Sequence, residues 1–160
     1  MKRTRLLFIL AFIALPFAVI GQNPTAPTEI ILNVDTDSVQ PGINAWSSCW
    51  FADQSEGDDP RTFLTEADLE EVLEWKGQSK NGNDEIYIRM IQRASGPNVF
   101  DRDSINANSG QRVIRATVRN PTARDRQGNP TQDYKYKIFF TINGTNGTRY
   151  IIDPIIRTNM

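Results

Sequence analysis

Any chemistry in this chain must come from carboxylates, amines and aromatic rings, because its 160 residues include no histidine and one cysteine, Cys49. Zinc and redox-copper sites draw on cysteine and histidine in groups, so neither can be built here. A serine or cysteine nucleophile paired with histidine is equally excluded, as are histidine-ligated haem and a phosphate loop of the G-x-x-x-x-G-K-[ST] type. Cys49 stands between Trp46 and Trp50 with nothing basic beside it. That setting reads as a small buried apolar residue and not as a reactive thiol.

Carboxylates are the plentiful reactive groups: Asp53, Glu56, Asp58, Asp59, Glu66, Asp68, Glu70, Glu71 and Glu74 follow one another within a short stretch. Acids near turns and a helix start ordinarily form a solvated face. A carboxylate-based hydrolase would have to use Glu70, Glu71 or Glu74, and the sequence indicates no such activity. Calcium is the better match for these groups, since a hard cation takes several loop oxygens. The candidate calcium ligands are Asp35 with Asp37, and Asp53, Asp58 and Asp59 in the loop from 53 to 59, although neither set has EF-hand spacing. No other cofactor is expected.

Three tryptophans are the candidate ligand-binding residues. Exposed indoles stack on sugar rings or grip partners, whereas buried ones fill a core. Trp46 and Trp50, four apart in an expected strand, share a face with Ser48 between them, and Trp75 falls in another strand. Core packing is the simpler reading of all three. Asn-Gly-Thr at 143–145 and 146–148 matches the glycosylation acceptor pattern, but Asn-Gly also serves tight hairpins.

The elements that must position these groups are strands. Apolar residues recur mainly at period two between clusters of Gly, Asn, Asp and Pro, which predicts an antiparallel β-sandwich of about seven strands near 29–35, 46–52, 71–78, 85–93, 111–119, 133–143 and 148–158. The clearest is 134–142, where Tyr134, Tyr136, Ile138, Phe140 and Ile142 point one way and Lys135, Lys137 and Thr141 the other. Pro154 should bend the last strand or place it at an edge. Thr65-Glu66-Ala67-Asp68 resembles a capping box, which predicts a short helical turn at 66–70 leading into a strand with Leu73 and Trp75 inward. The polar loop from Asn120 to Gln132 should be mobile.

Residues 1–21 have the form of a secretory signal: Lys2, Arg3 and Arg5, an apolar run from Leu6 to Ile20, and Gly21 as a small cleavage residue. About 15 apolar residues fall short of the roughly 20 of a spanning helix, and Pro16 interrupts them, so a membrane is expected only through an uncleaved signal. The signal predicts a secreted or periplasmic protein whose mature chain starts at Gln22. A flexible leader would span residues 22–28 and one domain residues 29–160. Removing the signal takes three of the 18 basic residues and none of the 19 acidic ones, so the net charge moves from −1 to −4. Such a balance does not suit nucleic acid. Apolar content falls as well, which favours a thin two-layer domain. With one cysteine no intrachain disulfide can form, and burial with hydrogen bonding must hold the fold.

The segments Asn33-Val34-Asp35-Thr36-Asp37-Ser38, Glu74-Trp75-Lys76-Gly77-Gln78-Ser79, Tyr136-Lys137-Ile138-Phe139-Phe140 and Tyr150-Ile151-Ile152-Asp153-Pro154-Ile155-Ile156, taken in order, resemble the PixA/AidA inclusion-body protein family. The resemblance spans most of residues 29–158. It implies a bacterial β-sandwich without an established catalytic site, and accumulation, self-association or ligand binding as its use. It carries over no functional residue, because the matching positions are a buried Trp, a turn Gly and a strand-bending Asp-Pro. The chain departs from the family in its export signal and in Leu69-Glu70-Glu71-Val72-Leu73, where a glycine-containing turn is expected. The reading that follows is an exported, non-catalytic binding module, carbohydrate-binding or adhesive, whose partner is a glycan or protein at the cell envelope. Its alternative is a self-associating structural protein that forms homo-oligomers.

Overall fold

Alternating branched and aromatic residues drive most of the chain into strands, and the computed structural model describes residues 26–40, 45–121, 123–124, 130–144 and 146–159. In chain order the strands are β1 (Thr28–Val34), β2 (Cys49–Phe51), β3 (Leu64–Ala67), β4 (Val72–Ser79), β5 (Ile86–Ser95), β6 (Ser104–Asn106), β7 (Ile114–Thr117), β8 (Ala123–Arg124), β9 (Pro130–Gln132), β10 (Tyr134–Ile142), β11 (Tyr150–Ile152) and β12 (Ile155–Thr158). Helix among the described residues is limited to short 3-10 turns at Ala45–Ser48 and Pro60–Thr62, and none of it is long and apolar enough to cross a membrane. The expected signal at 1–21 and residues 22–25 of the leader lie outside the described residues, while Thr28 already belongs to β1. Within the expected loop at 120–132, β8 pairs with β9, and residues 122 and 125–129 lie outside the described residues.

Two sheets form the sandwich. One has the order β2-β1-β4-β7, the other β3-β12-β10-β5-β6, and β11 also pairs with β10. The all-β sandwich is as the alternation predicts, but its sheets are mixed. β1 runs parallel to β4, from Thr28 opposite Leu73 to Val34 opposite Ser79, and β12 runs parallel to β3. Period two fixes which face of a strand is buried, and it does so identically for either direction of the neighbour.

The inner faces meet on Ile30, Leu32, Val34, Leu73 and Trp75 from one layer and Ile88, Ile91, Tyr134, Tyr136, Ile138, Phe140, Ile152 and Ile156 from the other, all buried. Trp75 pins the two layers together. Its Nε1–H donates to the Tyr136 hydroxyl at 3.1 Å, and its ring meets Phe100 and Tyr136 edge to face at 5.6 and 5.9 Å. Both polar atoms of this dry pair are thereby satisfied. Gly77 lies within β4 and not in a turn; a Cβ there would overlap Ile86 Cγ2, where the chain crosses from one sheet to the other.

Three local expectations are corrected. Residues 46–52 are not one strand, because Ala45–Ser48 is a 3-10 turn and β2 begins at Cys49. The helical turn at 66–70 is absent, since Leu64–Ala67 pairs with β12 and buries Thr65 and Ala67 in alternation. The Asp68 N–H instead donates to the Glu71 carboxylate at 2.7 Å, closing a turn in which Glu70 takes φ 66°. The turn thus puts a glutamate in the left-handed position that glycine favours. The strand expected at 111–119 is shortened to β7. Pro154 divides the last expected strand into β11 and β12, and its carbonyl accepts the Tyr136 N–H at 3.1 Å.

Candidate functional site

An edge strand has one row of backbone groups paired inward and another facing out, and the two can be told apart along β7. Val118 donates to Glu71 and accepts from Glu70, each at 2.8 Å, so its backbone groups point toward β4. Direction alternates along an antiparallel ladder, so Ile114 and Ala116 also point to β4 while Arg115 and Thr117 turn their N–H and C=O outward. The Arg119 N–H follows the same alternation and donates to the Val99 carbonyl at 2.7 Å. The loop at Val99 and Phe100 thus closes the far end of the edge and leaves Arg115 and Thr117 open.

A groove runs beside this open edge. One part, of about 300 Å³, is lined by the apolar Val72, Phe100, Ile105 and Ala116 together with Asp101, Arg102, Arg115, Thr117 and Arg119. A second part, of about 360 Å³, shares Ile105 and Arg115 with it and adds Ala107, Val113 and Ile114. β6 borders the groove from the other sheet, so two sheet edges lie on one side of the sandwich. At the opposite side β2 is blunted: Gln54 accepts the Phe51 N–H at 3.0 Å through its side chain and donates its own N–H to the Phe51 carbonyl at 2.9 Å. Internal capping of an edge in this way prevents pairing with another chain.

Charges on the outer face of the β7 sheet are matched. Glu74, 2 % exposed, sits opposite Arg115 in register and forms ion pairs with Arg115 and with Lys76, the latter at 2.8 Å. Burial pushes its carboxyl up, but the bonds from Lys76 and Arg115 outweigh burial and hold it below the usual range. Arg119 pairs with Glu70. Glu71 accepts from the Thr28 hydroxyl and the Asp68 N–H. The three glutamates offered for hydrolysis are therefore each engaged in holding strands together.

The tryptophans do not form one platform. Trp75 is fully enclosed and presents no face to a ligand. Trp46, in the 3-10 turn, packs against the core with the Arg61 guanidinium 4.3 Å from its ring centroid. Trp50, half-buried, alternates with the buried Cys49 and Phe51 and so lies on the outer face of β2. The shared face expected of Trp46 and Trp50 is lost with the strand that was to carry it. Cys49 is buried, and burial pushes its thiol up to about 12, so it stays protonated.

The candidate calcium ligands are likewise dispersed among other partners. Lys80 places its ammonium between Asp35, at 3.4 Å, and Glu56. Desolvation pushes Asp35 up, and bonds from Ser38 and Lys80 bring it below its ordinary value. Asp37 accepts from Asn81 at 3.4 Å. Asp58 accepts the Ser55 N–H at 2.9 Å, Asp59 caps the Pro60–Thr62 turn and pairs with Arg61 at 2.6 Å, and Asp53 is exposed. Among the described residues no three acids, cysteines or histidines are gathered as a metal site. A lysine ammonium already supplies the positive charge that a cation would bring to Asp35.

The open edge itself escaped the sequence reading. Ser104–Asn106 is too short for alternation to reveal a strand, and the groove needs both sheets in place. No family model matches the chain, and no curated protein matches it. Among solved structures it is similar to the crystal structure of an inclusion body protein, PixA, from Burkholderia cenocepacia, with a TM-score of 0.52 and 12 % identity over 86 % of this chain and 99 % of that one. At that identity the likeness shows the fold, and the resemblance read from the four sequence segments holds at that level.

Proposed function

We propose that the chain is a non-catalytic structural protein that self-associates through the open edge of β7, with the groove beside it receiving side chains of a second copy. The observation that carries this reading is the pair of outward backbone positions, Arg115 and Thr117, next to a groove of mixed apolar and charged lining, while β2 at the other end of the same sheet is capped. Strand addition supplies main-chain hydrogen bonds from an open edge and specificity from alternate side chains in adjoining pockets. The fold likeness to a protein described as an inclusion body protein supports the same reading. The glycan reading draws less support, because one of its three indoles is enclosed and another is covered by Arg61. Export at residues 1–21 is part of the proposal and would place assembly at or beyond the cell envelope.

Sedimentation velocity over a hundredfold concentration range tests the proposal. The wild-type chain is expected to form larger species as concentration rises. Thr117→Pro removes an outward donor at an edge, where proline is tolerated, and should remain folded by circular dichroism yet sediment as a monomer. A wild-type chain that stays monomeric at the highest concentration, or a folded Thr117→Pro that assembles as well as wild type, would overturn the proposal.

A further inference from the structure

A second cleft, of about 370 Å³, opens beside β5, the end of β6 and the β10–β11 hairpin, and is lined by Arg89, Met90, Asn106, Ala107, Asn146 and Arg149. Its lining holds two guanidiniums and two carboxamides and no acid. Arg61, Arg93, Arg112, Arg115, Arg119 and Arg157 have carboxylate partners. Arg89, Arg102 and Arg149 form no ion pair among the described residues, and of these Arg89 and Arg149 share one cleft. Arg89 is half-buried, and its Nη1 is shielded from water without an acceptor. A guanidinium partly withdrawn from water and lacking a counter-charge is an uncompensated cost. Arg149, which lines the cleft, also lies over Phe139, whose ring centroid is 5.9 Å from its guanidinium carbon. The Ala107 N–H donates to the Arg89 carbonyl at 3.0 Å, which fixes the end of β6 against β5 and holds the two walls together.

We infer that this cleft binds a small oxyanion, a carboxylate, sulfate or phosphate group, through Arg89 and Arg149 with Asn106 and Asn146 as flanking donors. Guanidiniums meet such groups with two parallel N–H donors, and the amides add neutral ones at the rim. Met90 and Ala107 supply an apolar wall for the carbon frame that carries the anion. The site shares Asn106 and Ala107 with the second part of the β7 groove and no lining residue with its Arg102 part.

The test is an amide and arginine Nε NMR titration of the purified chain with sodium sulfate, sodium phosphate and sodium glucuronate, each against sodium chloride at matched ionic strength. Saturable shifts at Ala107, Arg149 and the Arg89 Nε with the oxyanions are expected, with no saturation in chloride. Arg149→Gln, on the exposed hairpin, should weaken the apparent Kd by about tenfold or more, as should Arg89→Gln, since each removes a charge-assisted contact. Arg102→Gln should leave it unchanged. Tighter saturation by glucuronate than by sulfate would assign the anion to a sugar acid, and the reverse order to an inorganic or ester oxyanion. Shifts that follow ionic strength alone, or equal weakening by Arg102→Gln, would overturn the inference.

Discussion

Glu74 holds its charge against burial. It is 2 % exposed, and the ion pairs with Lys76 and Arg115 outweigh the burial that disfavours its ionised form. Its folded pKa is depressed below the ordinary value of 4.5, so its contribution to stability is present above that value and is lost as pH falls through the lower folded one. The melting temperature should therefore decline between about pH 5 and pH 3. Glu74→Gln should melt lower than wild type at pH 7, where the lost ion pairs leave two cations facing a neutral amide, and should show a shallower acid decline. Melts recorded from pH 3 to pH 7 decide the matter, and parallel curves for the two proteins would remove Glu74 from the acid response. The sequence reading placed Glu74 among solvated acids because it belongs to a run of acids near turns and an expected helix start. What encloses it is the register with Arg115 and the reach of Lys76, and neither follows from the local pattern.

Strands were legible where alternation was long and unbroken. In β10 the residues read as inward, Tyr134, Tyr136, Ile138 and Phe140, are buried and Ile142 at its end is less so, while Thr141, read as outward, is buried beyond the register shift at Phe139 and Phe140. Reading failed where a short segment could satisfy two patterns: Thr65 to Asp68 carries helix-capping chemistry, yet pairing with β12 decides its conformation. It failed again at Trp46, where spacing suggested a strand and the chain turns instead. Turn geometry gives a sharper test at this scale. Gly96 ends β5 at φ 86°, and a Cβ there would overlap the Asp133 carbonyl oxygen just before β10. Both the backbone angle and the contact oppose any side chain, and the contact is with backbone at the register shift between β5 and β10. Gly96→Ala should cost about 2–4 kcal/mol, the sum of left-handed strain and overpacking. Urea unfolding followed by tryptophan fluorescence measures it, and a loss below about 0.5 kcal/mol would mean that the β5 terminus shifts freely, so that this junction does not set the register.

At the scale of the whole molecule the question is what travels with the sandwich. The first strand among the described residues is β1, whose first residue, Thr28, pairs opposite Leu73 in the middle of the first sheet. Removal of residues 1–21 would leave Gln22 to Pro27 ahead of that strand and would touch none of its ladder with β4. The basic start followed by an apolar run short of a membrane span has the form expected of a removable signal, and we propose that it is removed. The full chain expressed in a bacterium with an intact export pathway should be recovered from the periplasm or medium, with an intact mass that corresponds to a start at Gln22. Export would also bring the open β7 edge into play only after the apolar signal is gone, which keeps assembly through Arg115 and Thr117 distinct from simple aggregation of an uncleaved hydrophobic segment. Recovery of the uncut chain in the cytoplasm, assembled to the same extent, would detach self-association from export and leave the edge of β7 as its sufficient cause.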